Sequence, residues 1–236
     1  MALTAVIAGV GPGLGESLAK KFAGEGCRVA MFARSKNYLN QLAEDRRSNG
    51  QQALSVPADI TKPDQVQAAF QEVRGEYGEV DILINHASYA RWQGIQNLPA
   101  EEFETAWRVT AYGAFLCCKQ VVPGMIEKGS GTILFTGATS SIRGAAGSVG
   151  FASAKFAVRG MAQSMARELG PKGIHVAHVI IDGQIDTPRV RAMNPDRPEH
   201  TFLNPDAIAE NYWNLVNQDK TTWTLELDLR PHVEQF

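Results

Sequence analysis

A glycine-rich loop joins a short apolar segment to a helical segment near the start of the sequence. Residues 5–8 read Ala-Val-Ile-Ala, and Leu14, Leu18 and Phe22 then recur at helical spacing, which predicts an amphipathic helix from residue 14 to about residue 25. Alternating glycines lie between the two segments at Gly9, Gly11, Gly13 and Gly15. Glycines allow close backbone approach, and the free amides of a helix N-terminus attract anions. The loop is either an ordinary tight turn or a phosphate cradle, and four alternating glycines favour the cradle.

The order of strand and then helix continues along the whole chain. Strand-like runs lie at residues 3–8, 28–33, 53–57, 81–85, 131–136, 174–181 and, more weakly, 223–228. Several are apolar almost throughout, as parallel strands covered on both faces require. No linker, repeat or low-complexity segment divides the chain. The pattern predicts an α/β fold, a single Rossmann-type doubly wound parallel β-sheet flanked by helices on both faces, as one domain over residues 1–236.

Charge and composition narrow the classes of partner. The net charge is −2, and no basic stripe or polybasic block occurs, which argues against nucleic acid or a membrane surface as a partner. No apolar run approaches the roughly 20 residues of a membrane span, and the first strand begins too close to Met1 for a signal peptide. His175 and His178 point to opposite faces of a strand, so no metal site is predicted. An odd number of cysteines suits reduced thiols, and a cytoplasmic location is expected.

Several motifs, in order, resemble those of the short-chain dehydrogenase/reductase family over essentially the whole chain. Residues 8–15 resemble its glycine loop, and Asp59-Ile60 its adenine-contacting pair. Residues 85–88 are similar to its Asn-Asn-Ala-Gly element, and residues 183–188 resemble its segment that contacts nicotinamide and pyrophosphate. The resemblance implies a nicotinamide cofactor, a small-molecule substrate and a homodimer or homotetramer. The implied cofactor-binding residues are Gly9, Gly11, Gly13, Leu14, Gly15, Arg34, Asp59, Ile60, Asn85, Ala87, Lys155, Gly183, Ile185 and Thr187.

The end of the second strand bears on the choice of cofactor. A carboxylate there would bind the ribose 2′-hydroxyl of NAD, whereas an arginine accepts the 2′-phosphate of NADP. Ala33 and Arg34 stand at this place, so NADP is expected in preference to NAD. The alternative is that Arg34 merely caps the sheet edge in water. Pro12 in the glycine loop adds no second positive charge.

The catalytic positions depart from the family's pattern. The family's tetrad is an asparagine, a serine and a Tyr-x-x-x-Lys pair, whereas Thr110, Ala138 and Phe151 occupy the first three places here. The chain thus resembles an atypical subgroup with Phe in place of the active-site Tyr. Lys155 remains, either as a site residue that also holds the nicotinamide ribose or as a solvated helix lysine. A phenyl ring cannot donate a proton, and a positioned acid contributes about 10²- to 10⁴-fold in rate.

Other side chains are candidates for the missing proton donor. Ser140 follows the Ala138 position closely, and a small loop shift would bring its hydroxyl to the substrate. Asp182 replaces the family's usual proline after the sixth strand, and a partly desolvated carboxyl there would become a useful acid. The alternative, which is favoured, is that Asp182 caps a loop through backbone amides. Further candidates are the hydroxyls of Thr139, Ser141, Tyr89 and Tyr112 and the imidazole of His86.

Residues 187–205 take the place of the family's substrate lid. Arg189, Arg191, Arg197 and His200 make this lid basic, which would suit an anionic substrate, although such a segment is more often a solvated loop. Three functions fit the chain: an NADP-dependent oxidoreductase with altered proton delivery, a catalytically silent NADP-binding protein, and a cofactor-independent lyase or dehalogenase. The third class would lose the glycine cradle and keep a Ser-Tyr pair, and this chain does the reverse.

Overall fold

The computed structural model describes residues 2–234 and contains nine strands in that range. They are β1 (Thr4–Ala8), β2 (Arg28–Ala33), β3 (Ala53–Pro57), β4 (Ile82–Asn85), β5 (Gly131–Thr136), β6 (Ile174–Ile181), β7 (Gln184–Ile185), β8 (Phe202–Leu203) and β9 (Glu226–Leu229). Seven of them form a parallel sheet in the order β3-β2-β1-β4-β5-β6-β9. The strand order reverses between β1 and β4, and ligands bind at such a switch point beyond the carboxyl ends of the strands.

Eight α-helices connect the strands in the described range. They are α1 (Leu14–Gly24), α2 (Lys36–Ser48), α3 (Pro63–Tyr77), α4 (Ala100–Trp107), α5 (Gly113–Lys128), α6 (Val149–Leu169), α7 (Pro188–Met193) and α8 (Pro205–Val216). A π-helical turn, Arg108–Tyr112, joins α4 to α5. Helices α1, α2 and α8 pack on one face of the sheet, and α3, α5 and α6 pack on the other. The predicted doubly wound parallel sheet is therefore confirmed.

Strand positions agree closely with the predicted ones except at the last strand. The sequence pattern placed that strand at residues 223–228, whereas β9 spans Glu226–Leu229. Trp223 lies outside the strand because its ring stacks on the His175 ring, with centroids 4.9 Å apart. The backbone oxygen of Thr224 accepts a hydrogen bond from the His175 ring. These contacts hold the chain beside β6 before regular pairing begins.

The segment Ala100–Lys128 is long and apolar enough, by length and composition alone, to cross a membrane. Here it is the α4–α5 pair, which packs against α3, α6 and the sheet. Its buried side includes Ala114, Cys117 and Val121 in the core below β4 and β5. The segment is therefore a core element of this fold.

Candidate cofactor and active site

The glycine loop is shaped by two residues with positive φ. Gly9 has φ 108° and Gly13 has φ 101°. A Cβ atom at Gly9 would lie 2.4 Å from the backbone nitrogen of Ala87, and one at Gly13 would lie 2.5 Å from Cγ2 of Thr187. The loop therefore packs tightly against the end of β4 and the start of α7. Gly11 differs, because a Cβ there would meet no atom within 4 Å.

A first cavity of about 550 Å³ opens beyond the carboxyl ends of β1, β2 and β4. Its lining includes Gly9, Arg34, Asp59, Ile60, His86 and Ala87. No carboxylate stands at the end of β2, where Ala33 is followed by the exposed Arg34. The Asp59 carboxylate accepts hydrogen bonds from the backbone and hydroxyl of Thr61. Burial would raise the pKa of Asp59, but these hydrogen bonds and the charge of Arg34 outweigh it and lower the pKa.

A second cavity of about 500 Å³ adjoins the first. Its lining includes Ser140, Phe151, Lys155, Gly183, Ile185 and Thr187. Thr187 also contacts the glycine loop, as described above, and its hydroxyl caps α7 by accepting from the backbone nitrogen of Val190 at 3.2 Å. The loop therefore lies between the two cavities, at the N-terminus of α1.

Lys155 forms part of the floor of the second cavity. Its side chain is buried, and Nζ donates a hydrogen bond to the backbone oxygen of Thr136 at 2.7 Å. Nζ also lies over the Phe151 ring, 5.6 Å from the centroid. Burial lowers the pKa of Lys155 to about 8, because an ammonium group loses hydration in the protein interior.

His86 lines both cavities and marks their junction. Its Nδ1 atom is 3.2 Å from the Thr136 hydroxyl, which in turn is 2.7 Å from the hydroxyl of the buried Tyr212. Burial, and then the charge of Lys155, lowers the pKa of His86 to about 4. The imidazole is therefore neutral near pH 7. It can donate or accept a hydrogen bond there, but it is not the imidazolium ion that acts as a general acid.

Comparison with known proteins identifies the family. The sequence profile described as short chain dehydrogenase matches residues 3–198. The chain belongs to the short-chain dehydrogenase family. It is 29% identical over 193 residues to the 3-oxoacyl-[acyl-carrier-protein] reductase FabG of Escherichia coli, covering 82% of this chain and 78% of that protein.

Solved structures of short-chain dehydrogenases share the fold over nearly the whole chain. A short-chain dehydrogenase from Rhodopseudomonas palustris is 33% identical, with a TM-score of 0.84 and coverage of 98% of this chain and 99% of that one. An alcohol dehydrogenase from the archaeon Thermococcus sibiricus, complexed with 5-hydroxy-NADP, has a TM-score of 0.89. It is 24% identical and covers 100% of this chain and 99% of that one, so this likeness shows the fold.

Two of the expected site residues of this short-chain dehydrogenase have buried side chains that point elsewhere. Thr110 lies in the π-helical turn, and its hydroxyl accepts from the backbone nitrogen of Tyr89 at 3.3 Å. Asn85 donates to Sγ of Cys118 at 3.5 Å, on the α5 side of the sheet. Neither residue lines the cavities. The structure therefore does not support direct catalytic or cofactor contacts from these two side chains. Strand alternation directs Asn85 into the core, and the hydrogen bond to Tyr89 engages the buried Thr110 hydroxyl.

Asp182 likewise has a different environment from the expected one. Its carboxylate is fully buried and accepts from the Thr139 hydroxyl at 2.7 Å and from Arg143 at 3.0 and 3.1 Å. Arg230 is 3.6 Å away. Asp182 does not line the second cavity, and side chains engage both of its carboxylate oxygens, so it does not fit the role of proton donor. Nor does it cap a loop through backbone amides, since side chains hold it.

The Leu14 side chain and the basic residues of the lid also contribute less to the candidate site than their sequence positions suggest. The Leu14 side chain is buried in the core below α1, so only its backbone amide faces the loop. Arg191 forms a two-point ion pair with Asp186, and Arg197 donates to the Thr201 hydroxyl and lies 4.0 Å from Glu234. Much of the predicted positive charge of residues 187–205 is therefore neutralised locally.

Sequence reasoning missed the aromatic wall of the second cavity. Trp92, in the loop between β4 and α4, packs on Phe151 with ring centroids 5.4 Å apart. It also missed Glu234 and the ion pairs that surround Asp182. A tryptophan in a polar loop carries no periodic signal, and partners distant in the chain leave no local pattern.

Proposed function

We propose that this short-chain dehydrogenase is an NADP(H)-dependent oxidoreductase with a non-standard catalytic site. The observation that carries the proposal is the pair of adjoining cavities, with Arg34 in the first and Lys155 beside Phe151 in the second. The reductase name of the Escherichia coli relative and the NADP derivative in the Thermococcus sibiricus structure support this class of activity.

The residues of the glycine loop and the two cavities fit a dinucleotide. The tight packing around Gly9 and Gly13 leaves backbone amides, rather than side chains, facing a pyrophosphate at the start of α1. Arg34 would pair with a 2′-phosphate through charge-assisted hydrogen bonds. Thr187, Ile185 and Lys155 would hold the nicotinamide half. When bound, the cofactor supplies or accepts a hydride.

The groups of this chain would act on the substrate mainly through charge. The Lys155 ammonium would stabilise negative charge that develops on a substrate oxygen. The Ser140 hydroxyl lines the same cavity and can donate a hydrogen bond. Phe151 and Ala138 can donate none, so they would exclude water and shape the cavity.

A titration with NADPH and with NADH tests the cofactor assignment. The Arg34→Ala variant is expected to bind NADPH about 10- to 100-fold more weakly, since a hydrogen bond to a charged group contributes about 1.5–3 kcal/mol. NADH affinity should change little, and the exposed Arg167→Ala variant should leave both unchanged. Equal losses for the two cofactors would contradict the assignment, and absence of binding to either would overturn the oxidoreductase proposal.

A catalytically silent NADP(H)-binding protein is the second candidate, and the phenyl ring of Phe151 favours it. Both candidates predict NADPH binding, but only the oxidoreductase predicts turnover. A screen of NADPH oxidation across carbonyl, imine and conjugated acceptors separates them. Turnover that scales with enzyme concentration excludes the silent protein.

We also propose a single-domain protein that assembles as a homodimer or homotetramer in the cytoplasm, with residues 187–205 as its lid. Exposed aromatic side chains on the surface of α4, α5 and α6 support assembly: Phe103, Trp107, Phe115 and Phe156. Light scattering after gel filtration measures the state. A monomer at micromolar concentration would contradict the assembly proposal.

A further inference from the structure

We propose that the second cavity takes a planar quinone as its hydride acceptor, stacked against Trp92 and Phe151. The inference rests on the oxidoreductase function proposed above and specifies its substrate class. Three features carry it: the aromatic wall, the weak acidity of the neutral hydroxyl groups and the positive charge of Lys155 in the cavity.

The aromatic wall suits a flat conjugated molecule. The Trp92 and Phe151 rings are tilted by 57° with centroids 5.4 Å apart. Trp92 is 62% exposed, and its side chain stands at the edge of the cavity. An exposed indole beside a cavity gains both apolar burial and ring stacking when a planar ligand covers it. Ile185 and Val190 add apolar surface to the same cavity.

The neutral hydroxyl groups of the cavity provide little acid assistance. Thr139 donates its hydroxyl proton to Asp182. Ser141 does not line the cavity, and its hydroxyl accepts a hydrogen bond from the backbone nitrogen of Ala138. The Ser140 hydroxyl lines the cavity and makes no hydrogen bond to any residue between positions 2 and 234. The Ser88 hydroxyl also lines the cavity. Neutral hydroxyls can stabilise an anion by hydrogen bonding, but they are weak acids.

The weak acidity of these hydroxyls favours quinones over simple ketones. Hydride addition to a simple ketone gives an alkoxide, which is about as basic as hydroxide and far more basic than a phenolate. Hydride addition to a quinone gives a phenolate, and a phenol has a pKa of about 10. The quinone product is therefore stable as an anion beside the Lys155 ammonium and needs no proton from a neutral group of the cavity.

The charge of the cavity favours an anionic product over a cationic substrate such as an iminium ion. Lys155 contributes one positive charge, and no carboxylate lies within ion-pair distance of it in residues 2–234. Arg197 and Glu234, which also line the cavity, lie 4.0 Å apart and largely cancel each other. With its pKa lowered to about 8, Lys155 is mostly protonated near pH 7. A phenolate oxygen would therefore meet a compensating charge.

The reaction balances without a proton from the protein. The quinone accepts one hydride, both electrons of which enter its conjugated system, and becomes the hydroquinone monoanion. NADPH is oxidised to NADP⁺ in the same step. Water then supplies one proton to the phenolate oxygen, so quinone, NADPH and one proton yield hydroquinone and NADP⁺.

Binding can be measured separately from turnover. The probe is 2-methyl-1,4-naphthoquinone, and the control ligand is 1-tetralone, a bicyclic aryl ketone of similar size. Equilibrium dialysis against protein saturated with NADP⁺, which cannot donate a hydride, is expected to show quinone binding. Trp92→Ala should weaken quinone binding about tenfold. Ile95→Ala, an exposed position in the same loop that lines neither cavity, should not.

Turnover provides the second measurement. Wild-type protein is expected to oxidise NADPH with the quinone at least about tenfold faster than with 1-tetralone, after subtraction of the enzyme-free rate, and Trp92→Ala should raise KM for the quinone. NADPH binding without quinone turnover, equal rates for the two probes, or quinone binding unaffected by Trp92→Ala would overturn the quinone assignment while cofactor binding stands. Failure to bind NADPH would overturn the proposed function itself.

Discussion

The Nζ atom of Lys155 lies 5.6 Å from the centroid of the Phe151 ring, one helical turn away on α6. The same atom donates to the backbone oxygen of Thr136. These contacts fix the ammonium group through a π face and a carbonyl oxygen, neither of which carries a negative charge or exchanges a proton. The floor of the cavity therefore holds a positive charge without a neighbouring acid, and the first prediction concerns restoring that acid.

Combining Phe151→Tyr with Ala138→Ser is expected to create or raise reduction of ordinary aldehydes and ketones. A tyrosine hydroxyl near Lys155 would supply the proton that a phenyl ring cannot, and a positioned general acid contributes about 10²- to 10⁴-fold. NADPH oxidation across a panel of carbonyl compounds measures the gain. Phe156→Tyr, at an exposed position on the same helix, is the control. No gain in folded, NADPH-binding double variant would contradict this placement of the active site.

The buried Lys155 should make stability depend on pH. Its pKa is lowered from 10.5 to about 8, so between these values the unfolded chain binds more protons than the folded protein. Stability therefore rises with pH across this window, and below about pH 8 the buried charge costs on the order of 3 kcal/mol. The hydrogen bond to Thr136 offsets part of that cost.

Lys155→Met is consequently expected to change the free energy of unfolding in a pH-dependent way. Relative to wild type, the variant should be most stable near pH 7. The difference in unfolding free energy between the two proteins should shrink by about 2–3 kcal/mol toward pH 10. Urea unfolding at pH 7, 8, 9 and 10 measures it, with Lys172→Met as a control for loss of a surface lysine. A difference in unfolding free energy that is independent of pH would show that burial does not lower the pKa of Lys155.

Asp182→Asn should destabilise the fold, but it should not remove the proton donor of the reaction. Removing one partner of a buried ion pair costs about 3–5 kcal/mol, but Arg143 is 41% exposed and can regain water, so about 2 kcal/mol is expected. Asp228→Asn removes a more exposed partner of Arg230 and should cost less than about 1 kcal/mol. Urea midpoints compare the two variants. An Asp182→Asn variant of unchanged stability that loses all turnover would contradict the structural role.

Most of the sheet follows from local sequence patterns. The run 174–181 is apolar and rich in β-branched residues apart from His175 and His178, and it corresponds to β6 residue for residue. A parallel strand buried on both faces needs such a composition. The two-residue strands β7 and β8 are too short to give a periodic signal. The start of β9 could not be predicted from the local sequence, because it depends on the stacking of Trp223 against His175. These two residues are far apart in the chain.

The site was less predictable because sequence position does not determine side-chain direction. Asn85, the last residue of β4, and the next residue, His86, illustrate this, since Asn85 faces Cys118 in the core whereas His86 faces the cavities. Alternation along a strand separates them, and the sequence motif alone does not indicate which side bears the ligand. Asp182 was interpreted without its partners Arg143 and Arg230, which only the folded chain brings to it.

Gly11→Ala separates the needs of the fold from the needs of a ligand. Gly11 lacks a positive φ, and a Cβ atom there meets no protein atom within 4 Å, so unfolding free energy should change by less than about 0.5 kcal/mol. NADPH affinity should nevertheless fall about tenfold, because the added methyl group would stand where the loop approaches a pyrophosphate. Gly13→Ala is the contrasting variant, since its φ of 101° and the contact with Thr187 predict a loss above about 1 kcal/mol. Urea unfolding and NADPH titration of both variants provide the two readouts. Full NADPH affinity in Gly11→Ala would mean that the cofactor does not approach the loop at this residue, whereas destabilisation equal to that of Gly13→Ala would contradict the open surroundings of Gly11.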